Sequence, residues 1–325
     1  MTTHPYFSQI AFSVRDLERT HAFYRDVLGF VPAGGTESFR GPGASLVQGL
    51  PNAASICWWM LDQREFMQLE LFQFQSPPVR PLPDDWRPCD IGYTTVGLHV
   101  PYFDAALERL DAAGTILLSA VGGSPGARRA CLRDPEGVLL ELMEDDPRPV
   151  NAPPRLRADV GVVARSVTAS VPDLAKARRF WVDALGLSEA RDVTLHDSGH
   201  EALWDLEGAK RETLLLWAGD FLVELVQYAD PPGKPWPEGY RISDQGILNV
   251  AFGFRDIQKL REVYQRVIDS GFSSNFELVE LGEGGVVYCN DDQGFSVELL
   301  CAPPAMDEAV GFSPRPTGTL SDLTP

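Results

Sequence analysis

The chain contains one segment twice, and this repeat restricts its fold more than any other feature. Residues 7–30 return as residues 166–187 without a gap, and the matching pairs lie 157 positions apart: Asp16-Leu17 and Asp173-Leu174, Phe23-Tyr24 and Phe180-Trp181, Leu28-Gly29 and Leu185-Gly186. Each segment begins with the alternation of a half-buried strand and continues with the spacing of an amphipathic helix. Asp16 suits the helix N-cap, and Gly29 suits the left-handed residue that ends a helix. The repeat therefore predicts two strand–helix units of the same kind.

Two weaker copies of this unit lie at 95–114 and 249–271. All four copies are followed by strand-like segments, the last of which has one glutamate between apolar neighbours: Glu70, Glu141, Glu224 and Glu298. Two of these segments follow tight turns, at 134–137 and 291–294, that end in glycine. We therefore predict an α+β fold of four βαβββ modules, over about 7–75, 92–146, 164–229 and 246–301.

Proline-rich segments indicate the domain boundaries. Residues 147–154 contain enough proline to disfavour both helix and sheet. We therefore predict an N-terminal domain at 1–146, a linker at 147–163 and a C-terminal domain at 164–302. Each domain would pair its own two modules into a half-open barrel. Residues 303–325 lack periodicity and are predicted to form a flexible tail.

The charge balance excludes several partners. The chain has 28 basic and 46 acidic residues, a net charge of −18, which argues against nucleic acids and anionic membranes. No apolar run approaches the roughly 20 residues that cross a bilayer, and no secretory signal is visible, so we expect a cytoplasmic protein. The five scattered cysteines are expected to be reduced thiols. The expected partner is a small molecule, and a homodimer is left open.

The repeated pattern resembles a known superfamily. Its parts are an alternating strand, Asp-Leu, Phe-Tyr or Phe-Trp, Leu-Gly and, later, Asp-Pro-Glu-Gly-Val-Leu-Leu-Glu-Leu at 134–142. This pattern is similar to that of the vicinal oxygen chelate superfamily, which includes glyoxalase I, methylmalonyl-CoA epimerase, extradiol dioxygenases and bleomycin-resistance proteins. The resemblance covers nearly the whole chain before the tail. It implies the fold of paired βαβββ modules but not the reaction, because one fold hosts many functions.

The first strand of every module has one face of small or polar residues and one face of bulky residues. In the first module, Gln9, Ala11 and Ser13 alternate with bulky neighbours. The bulky face should pack on the helix, which leaves the small face to line a cavity. The four glutamates should point into the cavities, because their apolar neighbours face the helices. A carboxylate there must be paired, protonated or bound to a cation.

The resemblance implies a divalent metal ion held by a first-strand residue and a glutamate from each of two paired modules. Position by position, it implies a ligand set in the N-terminal half that consists of Gln9, Glu70, Thr95 and Glu141. The second candidate set, in the C-terminal half, consists of Ser166, Glu224, Asn249 and Glu298. Gln9 and two glutamates offer oxygen ligands that suit a hard cation. Because Thr95 is a poor ligand, and Ser166 with Asn249 a poorer pair, we favour the N-terminal set. Histidine is absent from these first-strand positions, which disfavours the two-histidine, one-carboxylate site of extradiol dioxygenases.

Other residues have open interpretations. His99 is either a general base or a histidine hydrogen-bonded at the cavity end. His196 and His200 have a spacing that resembles a metal site, but Asp-Ser-Gly between them breaks a helix, so they could instead cover the C-terminal cavity. Aromatic strand residues suggest a pocket for a flat or apolar molecule, although core packing explains each one equally well: Trp58, Phe72, Tyr93 and Tyr228.

Three functions follow from these patterns. The first is a metal-assisted enzyme that acts on a small aromatic or carbonyl-bearing molecule, with lyase or isomerase chemistry favoured over ring cleavage. Its ligands would be Gln9, Glu70 and Glu141, and a glutamate or His99 would move the proton. The second is a non-catalytic binder of the bleomycin-resistance type, and the third is a metal-free enzyme that uses the carboxylates alone.

Overall fold

The structure is a computed structural model that describes residues 5–148 and 161–316, except for the side chains of residues 36–38. The four predicted modules are present. The first module contains β1 (Tyr6–Ser13), α1 (Leu17–Ala22), β2 (Val31–Arg40), α2 (Pro42–Gln48), β3 (Ala54–Leu61) and β4 (Gln68–Ser76). The second contains β5 (Gly92–His99), α3 (Phe103–Ala112), β6 (Arg129–Arg133) and β7 (Leu139–Met143).

The third and fourth modules follow residue 161. The third contains β8 (Val163–Ser170), α4 (Leu174–Arg178), β9 (Ser188–Glu189), a 3₁₀ helix (His200–Trp204), β10 (Lys210–Ala218) and β11 (Phe221–Asp230). The fourth contains β12 (Gly246–Phe254), α5 (Ile257–Asp269), β13 (Ser273–Ser274), β14 (Val279–Leu281), β15 (Gly284–Asn290) and β16 (Ser296–Cys301).

The repeated strand–helix unit has the local structure that its sequence predicts. Asp16 caps α1 by accepting a hydrogen bond from the Arg19 amide at 3.0 Å. The helix continues as a π-helical turn, Phe23–Leu28, and ends at Gly29, whose φ of 83° favours glycine. The second copy repeats the Asp173 cap on α4 and the π-helical turn, Arg179–Ala184.

The modules pair across the two halves of the chain. The first and fourth modules form a sheet with the order β13-β15-β16-β12-β1-β4-β3-β2, in which β14 also pairs with β15. The second and third modules form a sheet with the order β6-β7-β5-β8-β11-β10-β9. In each curled sheet the first strands of the two modules are antiparallel neighbours, β1 with β12 and β5 with β8.

The prediction that each half pairs its own modules is therefore wrong. The segment between β4 and β5 carries the chain from one sheet to the other instead of returning it to β1. A division at 147–163 still separates the two sequence halves, but 1–146 and 164–302 do not each enclose a cavity of their own. Of that linker, residues 149–160 lie outside the described residues.

The bulky faces of the first strands share one core with the helices. This core contains Ile10, Phe12, Val250 and Phe180, all fully buried, and it continues through both sheets. Phe7 on β1 stacks on Phe221 on β11 with ring centroids 3.6 Å apart. The small faces of the first strands therefore lie on the side of each sheet that faces away from this core, as predicted.

Residues 303–316 pack on the body of the protein, so the predicted flexible tail is wrong for this part. Phe312 is buried against Phe66, and the Arg315 carbonyl accepts a hydrogen bond from the Gly34 amide at 3.0 Å. Residues 317–325 lie outside the described residues. All five cysteines are buried and free. None of the described helices has the length and apolar character to span a bilayer.

Candidate functional site

Hollow A is the concave space of the first sheet, between β1, β4, β12 and β16. Each of these strands contributes one buried polar side chain: Gln9, Glu70, Asn249 and Glu298. Gln9, Glu70 and Glu298 line a cavity of about 440 Å³, a size that is typical of small-molecule sites. The structure therefore brings together two residues of the predicted N-terminal ligand set, Gln9 and Glu70, and two of the C-terminal set, Asn249 and Glu298.

Three of these side chains have buried oxygens that lack a hydrogen-bond partner among the described residues. They are Gln9 Oε1, Asn249 Oδ1 and Glu298 Oε2. Buried polar atoms are normally paired, and an unpaired one costs about 1–3 kcal/mol. Oxygen atoms from four strands, two of them carboxylates, are suitable ligands for a hard divalent cation. The residues present thus fit such an ion.

The two carboxylates of hollow A have perturbed acidities. Burial raises the pKa of Glu70 to about 7, although Trp59 Nε1 donates a hydrogen bond to its Oε1 at 2.9 Å. Burial and the charge of Glu70 raise the pKa of Glu298 well above its usual range, against the smaller effect of Tyr288. Neither carboxylate forms a salt bridge within the described part of the chain. The hollow must take up protons or a cation to balance their charge.

The rest of hollow A is mainly apolar. Trp59, Phe72 and Phe39 line one side, and Tyr288 lines the other. The mouth lies beside α2 and the β14–β15 hairpin, where exposed residues surround it: Arg40, Leu46, Phe276 and Leu281. The site thus has an acidic inner end and an apolar entrance.

Hollow B, between β5, β7, β8 and β11, holds the other two glutamates, and a histidine joins them. His196 Nε2 lies 3.0 Å from Glu141 Oε2, and its Nδ1 lies 2.7 Å from Glu224 Oε2. The imidazole is fixed in turn by Trp204, whose ring stands edge-on to it at 4.7 Å. Thr168 Oγ1 donates a hydrogen bond to Glu224 at 2.9 Å, and Arg129 pairs with Glu141 at 3.1 Å.

Charges in hollow B are balanced internally. Burial opposes ionisation, but His196 and Arg129 lower the pKa of Glu141 to about 2, and His196 and Arg211 also lower that of Glu224. The two glutamates outweigh the effect of burial on His196 and raise its pKa to about 10. At neutral pH, an imidazolium therefore lies between the two carboxylates of hollow B, whereas Glu70 and Glu298 in hollow A form no ion pair with any described side chain.

The structure corrects both predicted ligand sets. Thr95 and Glu141 lie in hollow B, apart from Gln9 and Glu70, because β5 and β7 belong to the second sheet. For the same reason Ser166 and Glu224 are separated from Asn249 and Glu298. Thr95 contacts its neighbour Thr94, with 3.5 Å between the two hydroxyl oxygens, and Ser166 is buried against Gly97.

The three histidines that the sequence singles out, His196, His200 and His99, lie in different environments. His196 lies inside hollow B rather than across its mouth. His200 lies beside it, with 5.3 Å between the ring centroids, and is hydrogen-bonded to Asp197. His99 is the last residue of β5 and is buried. It lies in the same sheet as Glu141 and in a different sheet from Glu70, so its predicted role as a general base stays a prediction and would not involve Glu70.

Of the predicted aromatic pocket residues, only Phe72 lines hollow A. Trp58 faces the helix side, with its ring 5.0 Å from that of His21. Tyr93 donates a hydrogen bond to the Ser296 carbonyl at 2.9 Å and lines a separate cavity between the segments 80–94 and 234–247. Tyr228 is buried in a small cluster with Cys89 and Leu206.

Sequence reasoning missed the aromatic partners of the hollow A carboxylates. Trp59 lies opposite Glu70 in the β3–β4 ladder, and Tyr288 lies opposite Glu298 in the β15–β16 ladder. The signal was present in the sequence, since paired residues in adjacent strands share a face. This inference requires the register of the β3–β4 hairpin, which places Trp59 rather than Trp58 opposite Glu70.

Within the described residues, no three His, Cys, Asp or Glu side chains form a group that could hold a metal ion. Hollow A therefore differs from a site built on histidines, because amide oxygens would supply half of its ligands. Such ligands favour hard cations over zinc, which prefers nitrogen and sulfur.

Comparisons with known proteins agree with this architecture. Two models of the Glyoxalase/Bleomycin resistance protein/Dioxygenase superfamily match, one over residues 8–151 and the other over 164–299. No curated protein matches the chain in sequence.

Solved structures share the fold at low sequence identity. A candidate dioxygenase from Bacillus subtilis has a TM-score of 0.64 and 14% identity, over 98% of this chain and 93% of that one. Glyoxalase I from Zea mays has a TM-score of 0.59 and 16% identity, over 91% of this chain and 92% of that one. A Mn(II)-bound glyoxalase from Novosphingobium aromaticivorans, with 16% identity over 92% of this chain and 82% of that one, has a TM-score of 0.30, too low to support an inference. The chain belongs to the Glyoxalase/Bleomycin resistance protein/Dioxygenase superfamily, with two copies of the domain in tandem.

Proposed function

We propose that hollow A is the active site of a cation-dependent enzyme of lyase or isomerase type. Its substrate would be a small aromatic or carbonyl-bearing molecule with two neighbouring oxygens. The observation that carries this proposal is the set of buried oxygens of Gln9, Asn249 and Glu298 that lack a hydrogen-bond partner among the described residues, in the hollow that also contains the Glu70 carboxylate. Gln9, Glu70, Asn249 and Glu298 would hold the cation.

A bound divalent cation would draw electron density from the substrate oxygens and so make an adjacent C–H bond more acidic. Glu70 is the candidate base that would accept and return that proton, because its side chain lines the cavity in which the substrate would bind. The indole of Trp59 fixes Oε1 of Glu70 and leaves its other oxygen toward the cavity. The aromatic walls exclude water and orient a flat molecule.

Proton exchange tests this function without knowledge of the product. Aromatic carbonyl compounds with an oxygen on the neighbouring carbon are incubated with the protein in D₂O and Mg²⁺ or Mn²⁺, and loss of the C–H signal is followed by NMR. We expect exchange that stops with a chelator and in Glu70→Gln. Glu224→Gln, a matched change in hollow B, should retain it. Exchange that is equal in both variants would contradict the proposal.

A second function is sequestration of a flat ligand without reaction. It is favoured by the aromatic walls and by carboxylates whose raised pKa values let them be neutral without a cation. Tight binding without exchange, little changed in Glu70→Gln, would support this alternative. Exchange that survives the chelator would indicate the metal-free enzyme.

A further inference from the structure

The mouth of hollow A is apolar and exposed. Leu46, Phe276 and Leu281 are 46%, 41% and 59% exposed, and all three line the cavity. Single exposed apolar residues are common, but three around one cavity indicate a binding surface for an apolar group. The body of the ligand should therefore reach the mouth.

Arg40 contributes the only basic side chain among the described residues that line this cavity. It is the last residue of β2 and is exposed. Among the side chains that the structure describes, it forms no salt bridge, whereas Arg211, Arg129 and Arg165 are each paired with carboxylates. A guanidinium in this setting offers two parallel donors to an incoming carboxylate.

The charge distribution of the cavity orients such a ligand. Glu70 and Glu298 at the inner end disfavour any anionic group there unless a cation is present. An acid group is favoured only beside Arg40. A second acid group would meet apolar side chains without a partner, which is unfavourable.

We propose that Arg40 is a specificity residue that binds the single carboxylate of an aromatic ligand, whose two neighbouring oxygens lie at the inner end of hollow A. The assignment of the inner end rests on the proposed function. The assignment of the acid group to Arg40 does not.

The test compares 3-(3,4-dihydroxyphenyl)propionate with its methyl ester. This acid has neighbouring oxygens at one end, an aromatic body and a carboxylate at the other end, and the ester lacks only the charge. Dissociation constants are measured by calorimetry with Mn²⁺ and with a chelator. For the unmodified chain we expect the acid to bind about tenfold more tightly than the ester, which is the effect of one charge-assisted contact.

Arg40→Gln should remove this preference by weakening acid binding about tenfold and leaving ester binding unchanged. The control is Arg191→Gln, which removes an exposed guanidinium that does not line the cavity, and it should keep the preference. Equal affinity for acid and ester in the unmodified chain, or equal weakening of both by Arg40→Gln, would overturn the proposal.

The metal content of each protein, measured separately by mass spectrometry, distinguishes the two proposals. If the chain holds no cation but the preference persists with the chelator, the proposed function fails and the role of Arg40 stands. If the cation is bound but the preference is absent, the role of Arg40 fails alone.

Discussion

His196 Nδ1 lies 2.7 Å from Glu224 Oε2, and this contact distinguishes two hollows that otherwise correspond strand by strand. In hollow B the imidazolium supplies the positive charge that two buried carboxylates require. In hollow A the corresponding Glu70 and Glu298 line a cavity in which, among the described residues, no basic side chain forms an ion pair with them. Hollow B is thus balanced by its own charges, and hollow A is the one that we propose as a ligand site.

Replacing His196 should destabilise the protein. His196→Gln leaves Glu141 and Glu224 without their shared cation, and breaking a buried ion pair costs about 3–5 kcal/mol. Urea denaturation measures the free energy of unfolding. His200→Gln changes a neighbour that lies outside the ion pair, and we expect an effect of about 0.5 kcal/mol or less. Similar losses in the two variants would contradict the role of His196.

The stability that His196 provides should depend on pH in a defined window. Because the pKa of Glu141 is lowered to about 2, its contribution is present above its unfolded value and is lost as the pH falls toward 2. The pKa of His196 is raised to about 10, so its contribution is complete below its unfolded value and is lost as the pH rises through 10. The difference in unfolding free energy between the unmodified chain and His196→Gln should be largest near pH 5–6. A difference that grows from pH 6 to pH 9 would contradict this assignment.

Cation binding to hollow A should strengthen as the pH rises. The cation must displace the proton that Glu70 retains below about pH 7. Titration with Mn²⁺ should therefore give an affinity that rises about tenfold per pH unit between pH 5.5 and 6.5 for each proton released. An affinity independent of pH would mean that Glu70 is not a ligand.

The same raised pKa affects the cation-free protein. A carboxyl group with a raised folded pKa contributes stability below its unfolded value and loses it as the pH rises through the folded value. Without a cation, the chain should therefore be less stable at pH 7.5 than at pH 5 by up to about 3 kcal/mol from this group. Glu70→Gln should reduce that difference, as measured by urea denaturation at both pH values.

Cutting the chain between its halves should not separate them. A protease site placed within 149–160 allows the polypeptide to be cleaved after folding. Because β1 pairs with β12 and β5 pairs with β8, the two fragments should elute together in gel filtration and separate only in denaturant. Elution as two independently folded fragments would contradict the pairing of modules across the halves.

The modules themselves could be predicted from the sequence because their signals are local. The Asp16 cap, the Gly29 end and the alternation around each glutamate are properties of short segments, and the structure has them in the predicted places. The pairing of modules was not predictable from the same signals. The first strands of the four modules, β1, β5, β8 and β12, have equivalent alternation of small and bulky residues. The local sequence therefore does not specify which two of these strands are adjacent in a sheet.

The identity of the candidate site depended on that pairing. The sequence predicts Gln9 and Glu70 in one ligand set with Thr95 and Glu141, but the residues that share hollow A with them are Asn249 and Glu298. The difference between the hollows was also hidden, because His196 reaches Glu141 and Glu224 from a loop whose path the strand and helix periods do not predict.

The most direct test of the account is the number of divalent cations per chain, measured by mass spectrometry after equilibration with Mn²⁺ and gel filtration. We predict one cation for the unmodified chain and for Glu224→Gln, and none for Glu70→Gln or Glu298→Gln, although these two residues lie in opposite halves of the sequence. Two cations per chain, or one that is lost in Glu224→Gln and kept in Glu70→Gln, would contradict the assignment of hollow A as the ligand site.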